Sequence, residues 1–321
     1  MAFKHHRWTL SNILPVVFVL GIIVTIWSTY VGFHLRRLLQ LHEVEVDQDL
    51  QRSGMVQTVL SQMLLVMMML CFLRAVFTSP GSVPDTEVWL REENRRAKTA
   101  RNAGSSQAFG LICHEAKQNG ERRYCSKCSK YKPDRCHHCR ICNSCILRMD
   151  HHCPWIANCV GFRNHKYFFL LVLYSAMNCW FIVATMASTV CRAGIDEMDP
   201  EYRFALVFGM TLAVIMGTLL GCFLFFHCWL MSNASTTIEF CEKATAVYGS
   251  RVVSYDQGPF ENIRAVLGPV VSLWLLPVAP PHGDGVNFFV NSKGNHDEMA
   301  PLLPGKAETA PEVTGAKAAA V

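Results

Sequence analysis

The chain has 321 residues, 51% hydrophobic and 17% charged, with a formal net charge of +5. Soluble domains carry about 25% charged residues, so this composition excludes a plain soluble enzyme, a disordered chain and a collagen-like fibre. Of the 15 cysteines, eight crowd into one stretch (Cys125, Cys128, Cys136, Cys139, Cys142, Cys145, Cys153 and Cys159).

A bilayer-crossing helix needs about 20 mostly apolar residues, and the first such stretch runs from about Ile13 to Phe33. It is too long for a cleaved signal peptide. Trp27, Ser28, Thr29 and Tyr30 offer no small-residue cleavage site, so the segment is expected to remain as an anchor. A segment from His34 to Gly54, with three basic and four acidic residues, leads to the second span at about Met55 to Phe77. Arg74 lies near its end, where its stem can snorkel to the headgroups. The loop from Thr78 to Lys166 then holds 16 of the 30 Lys and Arg residues. Within it, Glu87 to Ala103 reads as a charged, solvated helix.

The third span covers about Tyr167 to Cys191 and the fourth about Phe204 to Leu230, joined by a loop with two basic and four acidic residues. Gly217 and Gly221 form a GxxxG that favours packing within the bundle. Intramembrane charge, which marks ion pathways, is nearly absent, and this disfavours a transporter or channel. Gly268 to Pro280 is apolar but too short to cross, so it is expected to lie on the membrane or dock onto the cytosolic domain. Beyond Pro280 the chain is rich in Ala, Pro and Gly and reads as a disordered tail.

Positive charge stays on the cytosolic side of a membrane. The basic loop, Lys4 and Arg7 before the first span, and the even number of spans put both termini and the cysteine-rich loop in the cytosol. The expected fold is an all-α polytopic membrane protein. Four transmembrane helices flank a cytosolic cysteine-rich, zinc-binding domain between the second and third. The chain divides into residues 1–77, the loop 78–166 with its cysteine-rich domain at about 122–166, residues 167–230, a C-terminal segment 231–280 and the tail 281–321.

The cytosol keeps thiols reduced, so a disulfide framework is not expected. Closely spaced Cys and His pairs read instead as tetrahedral zinc sites. Two closed sites need eight ligands. Cys125, Cys128, Cys139, Cys142, Cys145 and Cys159 with two histidines supply them as two Cys3His sites. His138 and His152 are the leading histidines, and spacing alone leaves His137 open. Cys136 and Cys153 are then left over. Cys153 follows Asp150, His151 and His152 directly. A thiolate is a nucleophile, an adjacent imidazole takes its proton, and a carboxylate behind the imidazole orients it. The alternative is a ninth thiol tolerated in a crowded structural domain.

Asp150-His151-His152-Cys153, inside this spacing and between the second and third of four spans, resembles the DHHC family of protein S-acyltransferases (palmitoyltransferases). The likeness covers about Leu14 to Pro277. The cluster continues from Pro154 through Trp155, Asn158 and Cys159 to Gly161, close to the family's CPWxxNCVG. Thr236, Thr237 and Glu239 match its TTxE motif, and Asn262 matches the asparagine of its C-terminal segment. Thr-x-x-Glu is also a helix capping box, so this motif is expected both to start a helix and to brace the catalytic loop. Departures are Cys136, Ala157 where the family often has asparagine, and Ile263 and Leu267 where it is often aromatic.

The resemblance implies that Cys153 accepts the acyl group, with His151 as general base and Asp150 as its orienter. It implies one structural zinc on Cys125, Cys128, His138 and Cys145, and a second on Cys139, Cys142, His152 and Cys159. Acyl-CoA, chiefly palmitoyl-CoA, would be the co-substrate, transferred in ping-pong fashion to cysteines of cytosol-facing proteins. Trp155 is placed to wall the acyl cavity or to anchor at the interface. Ser28 and Asn178 would meet the far end of the chain, and Arg140, Arg148, Arg163 and Lys166 are candidates for the CoA phosphates. The setting is the endomembrane system (Golgi, ER or plasma membrane), with no nucleic-acid partner.

Overall fold

The computed structural model describes residues 10–40, 45–90, 113–117, 121–193, 199–245, 253–279, 281 and 283–290. Lys4 and Arg7 lie outside them. Helix α1 runs Leu10–Leu39 and includes a π-helical turn at Tyr30–Leu35. Helix α2 is Gln48–Phe77, α3 His165–Ala193 and α4 Pro200–Ser232. All four are long and apolar enough to cross a membrane. They contain the four predicted spans, with extra turns at their ends. The chain is a multi-pass membrane protein of mainly helical fold.

Local chemistry sets the helix starts. The Asp47 carboxylate caps α2 by accepting from the backbone N–H of Asp49 and Leu50 at 3.0 and 3.2 Å. Pro200 occupies the first turn of α4, where no amide donor is needed. Helix α3 is central, packing on both α2 and α4. Half of its apolar window is buried, against 6% of that of α1, so α1 keeps most of its apolar surface for lipid.

Glycine permits two close approaches. A Cβ at Gly209 would collide with Thr29 of α1, and one at Gly217 would stand 3.2 Å from Cys179 Cβ of α3. The Trp180 indole N–H donates to the Gly217 carbonyl at 3.1 Å. The GxxxG thus joins α4 to α3 within one bundle. At the far end of the bundle the buried His34 ring bonds Thr189 and Gln57, both at 2.8 Å. Tyr30 shares a 2.9 Å hydrogen bond with Thr185, which completes a paired polar layer.

Between α2 and α3 the chain makes three antiparallel hairpins. Strand β1 (Tyr124–Cys125) pairs with β2 (Lys130–Tyr131), β3 (His137–Cys139) with β4 (Ser144–Ile146), and β5 (His151–Cys153) with β6 (Asn158–Val160). Hairpins this short are not stable alone. Asn158 ties the last of them to the bundle: its amide donates to the carbonyls of Ala75, Val76 and Thr78, at 3.0–3.1 Å, where α2 ends.

After α4 come two short helices, α5 (Thr237–Thr245) and α6 (Pro259–Leu267). Of the segment expected to lie on the membrane or to dock onto the cytosolic domain, residues 268–279 are described, and they pack against the first turns of α3. Lys166 Nζ donates to the carbonyls of Leu273 and Val278 at 2.9 and 2.8 Å, and the Tyr174 hydroxyl to that of Leu275 at 2.7 Å.

Two further expectations are corrected. The solvated helix read over Glu87 to Ala103 begins as a 3-10 turn at Glu87–Trp89, and Trp89 is buried in a core with Cys125, Cys145 and Leu147. A large apolar ring outweighs the charged run around it. Residues 91–103 lie outside the described ones. The start of the supposed tail also packs: Phe288 meets the rings of Phe162 and Tyr255 edge-on. Residues 291–321 are not described.

Candidate active site

The period-two alternation of a strand does the first part of the site's work. On β5, His152 faces Cys159 across the hairpin, while His151 and Cys153 flank it and share the opposite side. One side of β5 therefore serves a cysteine tetrad and the other meets the helices.

Each tetrad joins two successive hairpins. Cys125 and Cys128, at the turn of β1–β2, meet the cross-strand pair His138 and Cys145 of β3–β4. Cys139 and Cys142, at the turn of β3–β4, meet the pair His152 and Cys159 of β5–β6. Nδ1 of His138 lies 3.5, 3.3 and 3.8 Å from the three sulfurs of its group. Nδ1 of His152 lies 3.6, 3.4 and 3.5 Å from those of its own. Zinc bonds of about 2.3 Å to sulfur and 2.0–2.1 Å to nitrogen give tetrahedral edges of about 3.6 Å, so both groups fit that ion. None of the 15 cysteines is in a disulfide.

His138 stands in the tetrad rather than His137, whose ring lies 3.7 Å from Glu242. The spare Cys136 is fully buried in the core behind the first tetrad, where it packs as a small apolar side chain.

On the other side of β5, the buried Cys153 sits among Phe72 and Ala75 of α2, Phe168 and Val172 of α3 and Ile156. Val16 and Leu20 of α1 and Leu220 and Leu224 of α4 complete this apolar surround. All four helices thus contribute to the cluster that holds this thiol. Beside it, His151 Nδ1 bonds Asp150 Oδ2 at 2.6 Å. Burial disfavours the His151 cation, but hydrogen bonds to Asp150 and Cys153 and their negative charge outweigh it and raise the pKa to about 9. Burial likewise opposes ionisation of Asp150, yet the hydrogen bond from His151 holds its carboxyl well below the usual range.

Asp150 is fully buried and is gripped from the far side by α5. The backbone N–H of Thr237 donates to Oδ1 at 2.9 Å, and its hydroxyl to Oδ2 at 2.8 Å. The capping box is reciprocal: Glu239 N–H donates to the Thr236 hydroxyl at 3.2 Å, and Thr236 N–H to Glu239 Oε2 at 2.9 Å. Glu239 also takes a fork from Arg135 at 2.6 and 2.8 Å. Arg135 binds the Ala234 carbonyl too, and its guanidinium lies over the Tyr255 ring at 4.5 Å. Asn262 anchors α6 by donating to the Ser232 carbonyl at 2.7 Å and to Asp256 at 2.6 Å. Removing one partner of a buried ion pair costs about 3–5 kcal/mol. Glu239→Gln is therefore expected to lower the thermal unfolding midpoint of the detergent-solubilised protein markedly, whereas the exposed Glu261→Gln is expected to leave it unchanged.

The remaining predicted residues fall less uniformly. Trp155 is half exposed, its ring 6.2 Å from that of Phe18 on α1. Asn178 is half buried on α3. Ser28 is not brought to the bundle interior: it is exposed and its hydroxyl turns back to the Thr25 carbonyl at 3.2 Å. A uniformly apolar helix carries no phase in its sequence, so its buried face was not readable. Arg148 and Lys166 are buried, unlike the exposed Arg140 and Arg163. Ala157 has a φ of 47°, a region asparagine enters more readily than alanine, which gives a physical reason for asparagine at this place.

The family profile described as DHHC palmitoyltransferase matches residues 118–244. Palmitoyltransferase ZDHHC2 of Mus musculus is 33% identical over 249 residues, 75% of this chain and 68% of that protein. Palmitoyltransferase ZDHHC15 of Homo sapiens is 31% identical over 303 residues, 90% of this chain and 85% of that protein. The chain belongs to the DHHC palmitoyltransferase family. It is an enzyme of the acyltransferase class, with tetrads that fit zinc.

The TTxE motif implies a brace on the catalytic loop but not that Thr237 reaches Asp150, and no motif gives Arg135 or the Asn158 amide its partner. Their partners lie 87, 104 and 80–83 residues away, and no local pattern signals them.

Proposed function

We propose that this chain is a protein S-acyltransferase that moves a long-chain fatty acyl group, chiefly palmitoyl, from acyl-CoA to cysteine thiols of cytosol-facing proteins. The observation that carries this reading is the Cys153 thiol, next but one on β5 to a His151 bonded to Asp150 and seated in the apolar cluster to which all four helices contribute.

In the first step Cys153, its proton held by His151, attacks the thioester carbonyl of acyl-CoA. The carbonyl–sulfur bond to CoA breaks, the imidazolium returns its proton to the departing CoA thiolate, and the acyl group remains on Cys153. In the second step a substrate thiol gives its proton to His151 and attacks that carbonyl, and Cys153 leaves as the thiolate. Both steps exchange one thioester for another. Asp150, locked by Thr237, holds the imidazole in the tautomer that presents Nε2 to sulfur.

An acyl chain leaving Cys153 enters the apolar surround. Each buried CH2 contributes about 0.8 kcal/mol, so a 16-carbon chain prefers that setting by roughly 10 kcal/mol. Trp155 and Asn178 are assigned to the lining. The two tetrads would hold structural zinc, which fixes the hairpins and so the position of β5.

Residues 78–166, with the cysteine-rich part at about 122–166, form the catalytic unit between the helix pairs 1–77 and 167–230, and residues 231–280 brace it. The basic loop favours a cytosolic active site in an endomembrane. Ping-pong transfer predicts parallel double-reciprocal plots when palmitoyl-CoA and an acceptor peptide bearing cysteine are varied. Intersecting lines would argue for direct transfer. Structural metal predicts that Cys128→Ala carries one zinc per chain instead of two and unfolds at lower temperature, as elemental analysis and thermal scans can show.

A further inference from the structure

We propose that Asp150, His165 and His227 form a third cation site, distinct from the cysteine tetrads, for a divalent transition ion such as Zn2+. Its occupancy restrains the His151–Asp150 pair.

Three elements bring these residues together. Asp150 precedes β5, His165 opens α3, and His227 lies near the end of α4. One ligand atom from each lies within 4.8 Å of the others. The three residues are 0%, 5% and 3% exposed. His165 Nδ1 and His227 Nε2 are buried and have no hydrogen-bond partner among the described residues. Leaving a buried polar atom unsatisfied costs about 1–3 kcal/mol. Two such nitrogens beside a carboxylate point to a ligand that accepts electron pairs from all three.

Asp150 has room for it. Oδ2 already accepts from His151 and Thr237, whereas among the described residues Oδ1 accepts only from the Thr237 N–H. An sp2 carboxylate oxygen offers two lone pairs, so one remains on Oδ1. Two imidazoles and one carboxylate suit zinc and its neighbours, with coordination positions left over. The rings of Phe223, Phe226 and Phe168 surround His227 and limit solvent on that side. His151, a quarter exposed, marks the open side.

The charge balance fits a reversible site. The charged groups nearby are His151, Arg148 and Arg135 against Glu239 and Asp150 itself, three cations against two anions. A divalent ion therefore meets a net positive surround. It also finds no thiolate among its ligands, so it binds more weakly than in either tetrad. Once bound, it draws on the carboxylate that orients His151, and acyl transfer slows. The binding stands on geometry alone, whereas this consequence rests on the proposed function.

Co2+ added to the full-length, detergent-solubilised protein carrying its two tetrad zinc ions tests the site. A third metal equivalent is expected, with visible d–d absorption but no sulfur-to-cobalt charge-transfer band. Palmitoyl transfer is expected to fall about tenfold in parallel and to recover on mild chelation. His227→Phe and His165→Gln are each expected to lose the third ion while retaining two zincs. Absence of uptake beyond two ions in the wild-type protein, which is the result for a buried water, overturns the proposal. So does a third ion retained by both variants. A third ion that leaves transfer unchanged overturns the restraint. If transfer is absent from the start while the third ion binds, the proposed function fails and the site stands.

Discussion

Cys153→Ala is expected to abolish palmitoyl transfer, lowering the rate by at least about 10^4-fold, in keeping with loss of a nucleophile that no neighbour replaces. No other free thiol shares its setting. Cys136 is enclosed in the core behind the first tetrad, and Cys71 and Cys179 are buried in the helix bundle. The substitution removes a single sulfur from an apolar surround, so the fold and both tetrads persist. Acceptor labelling with palmitoyl-CoA should therefore vanish while the metal content stays at the wild-type level. Residual transfer near the wild-type rate would remove Cys153 from the mechanism.

The second large effect falls on the carboxylate behind the imidazole. Asp150→Asn is expected to reduce turnover by about 10^3–10^4-fold, with little change in the KM for palmitoyl-CoA. Asp150 accepts three hydrogen bonds, one from His151 and two from Thr237. An asparagine presents only one acceptor oxygen, so its NH2 must face one of these donors. Either the grip of Thr237 is lost or His151 turns to the other tautomer. Thr237→Val keeps the carboxylate and the backbone donor, and a loss of only about tenfold is expected. Measuring kcat and KM for all three proteins separates the cases. Equal losses in the two variants would make Asp150 a packing residue rather than an orienting one.

Much of this arrangement was legible in the sequence, because its signals are local. Long apolar runs mark the helices, and closely spaced Cys and His mark the tetrads. The hairpin register then explains why His152 and Cys159 pair while His151 and Cys153 turn to the helices. What escaped reading depends on contacts far apart in the chain. The TTxE motif points to a brace on the catalytic loop but not to the grip of Thr237 on Asp150, and Arg135 finds Glu239 only when α5 docks on the cysteine-rich domain. Ser28 failed for another reason: α1 is apolar on every side, so its inward face is set by packing at places such as Thr29 against Gly209. Trp89 and Phe288 show the same limit. Each sits in a short apolar patch within a charged or mixed stretch, too brief to announce burial, yet each finds a hydrophobic partner once the hairpins form.

The central claim is that the acyl group rests on Cys153 between donor and acceptor. It is tested most directly by incubating the full-length protein with palmitoyl-CoA alone, quenching at acid pH and mapping the modified peptide by mass spectrometry. The expected result is one palmitoyl group as a hydroxylamine-sensitive thioester on Cys153, with CoA released before any acceptor is added. Palmitate on a different residue, or CoA released only when an acceptor thiol is present, would contradict it.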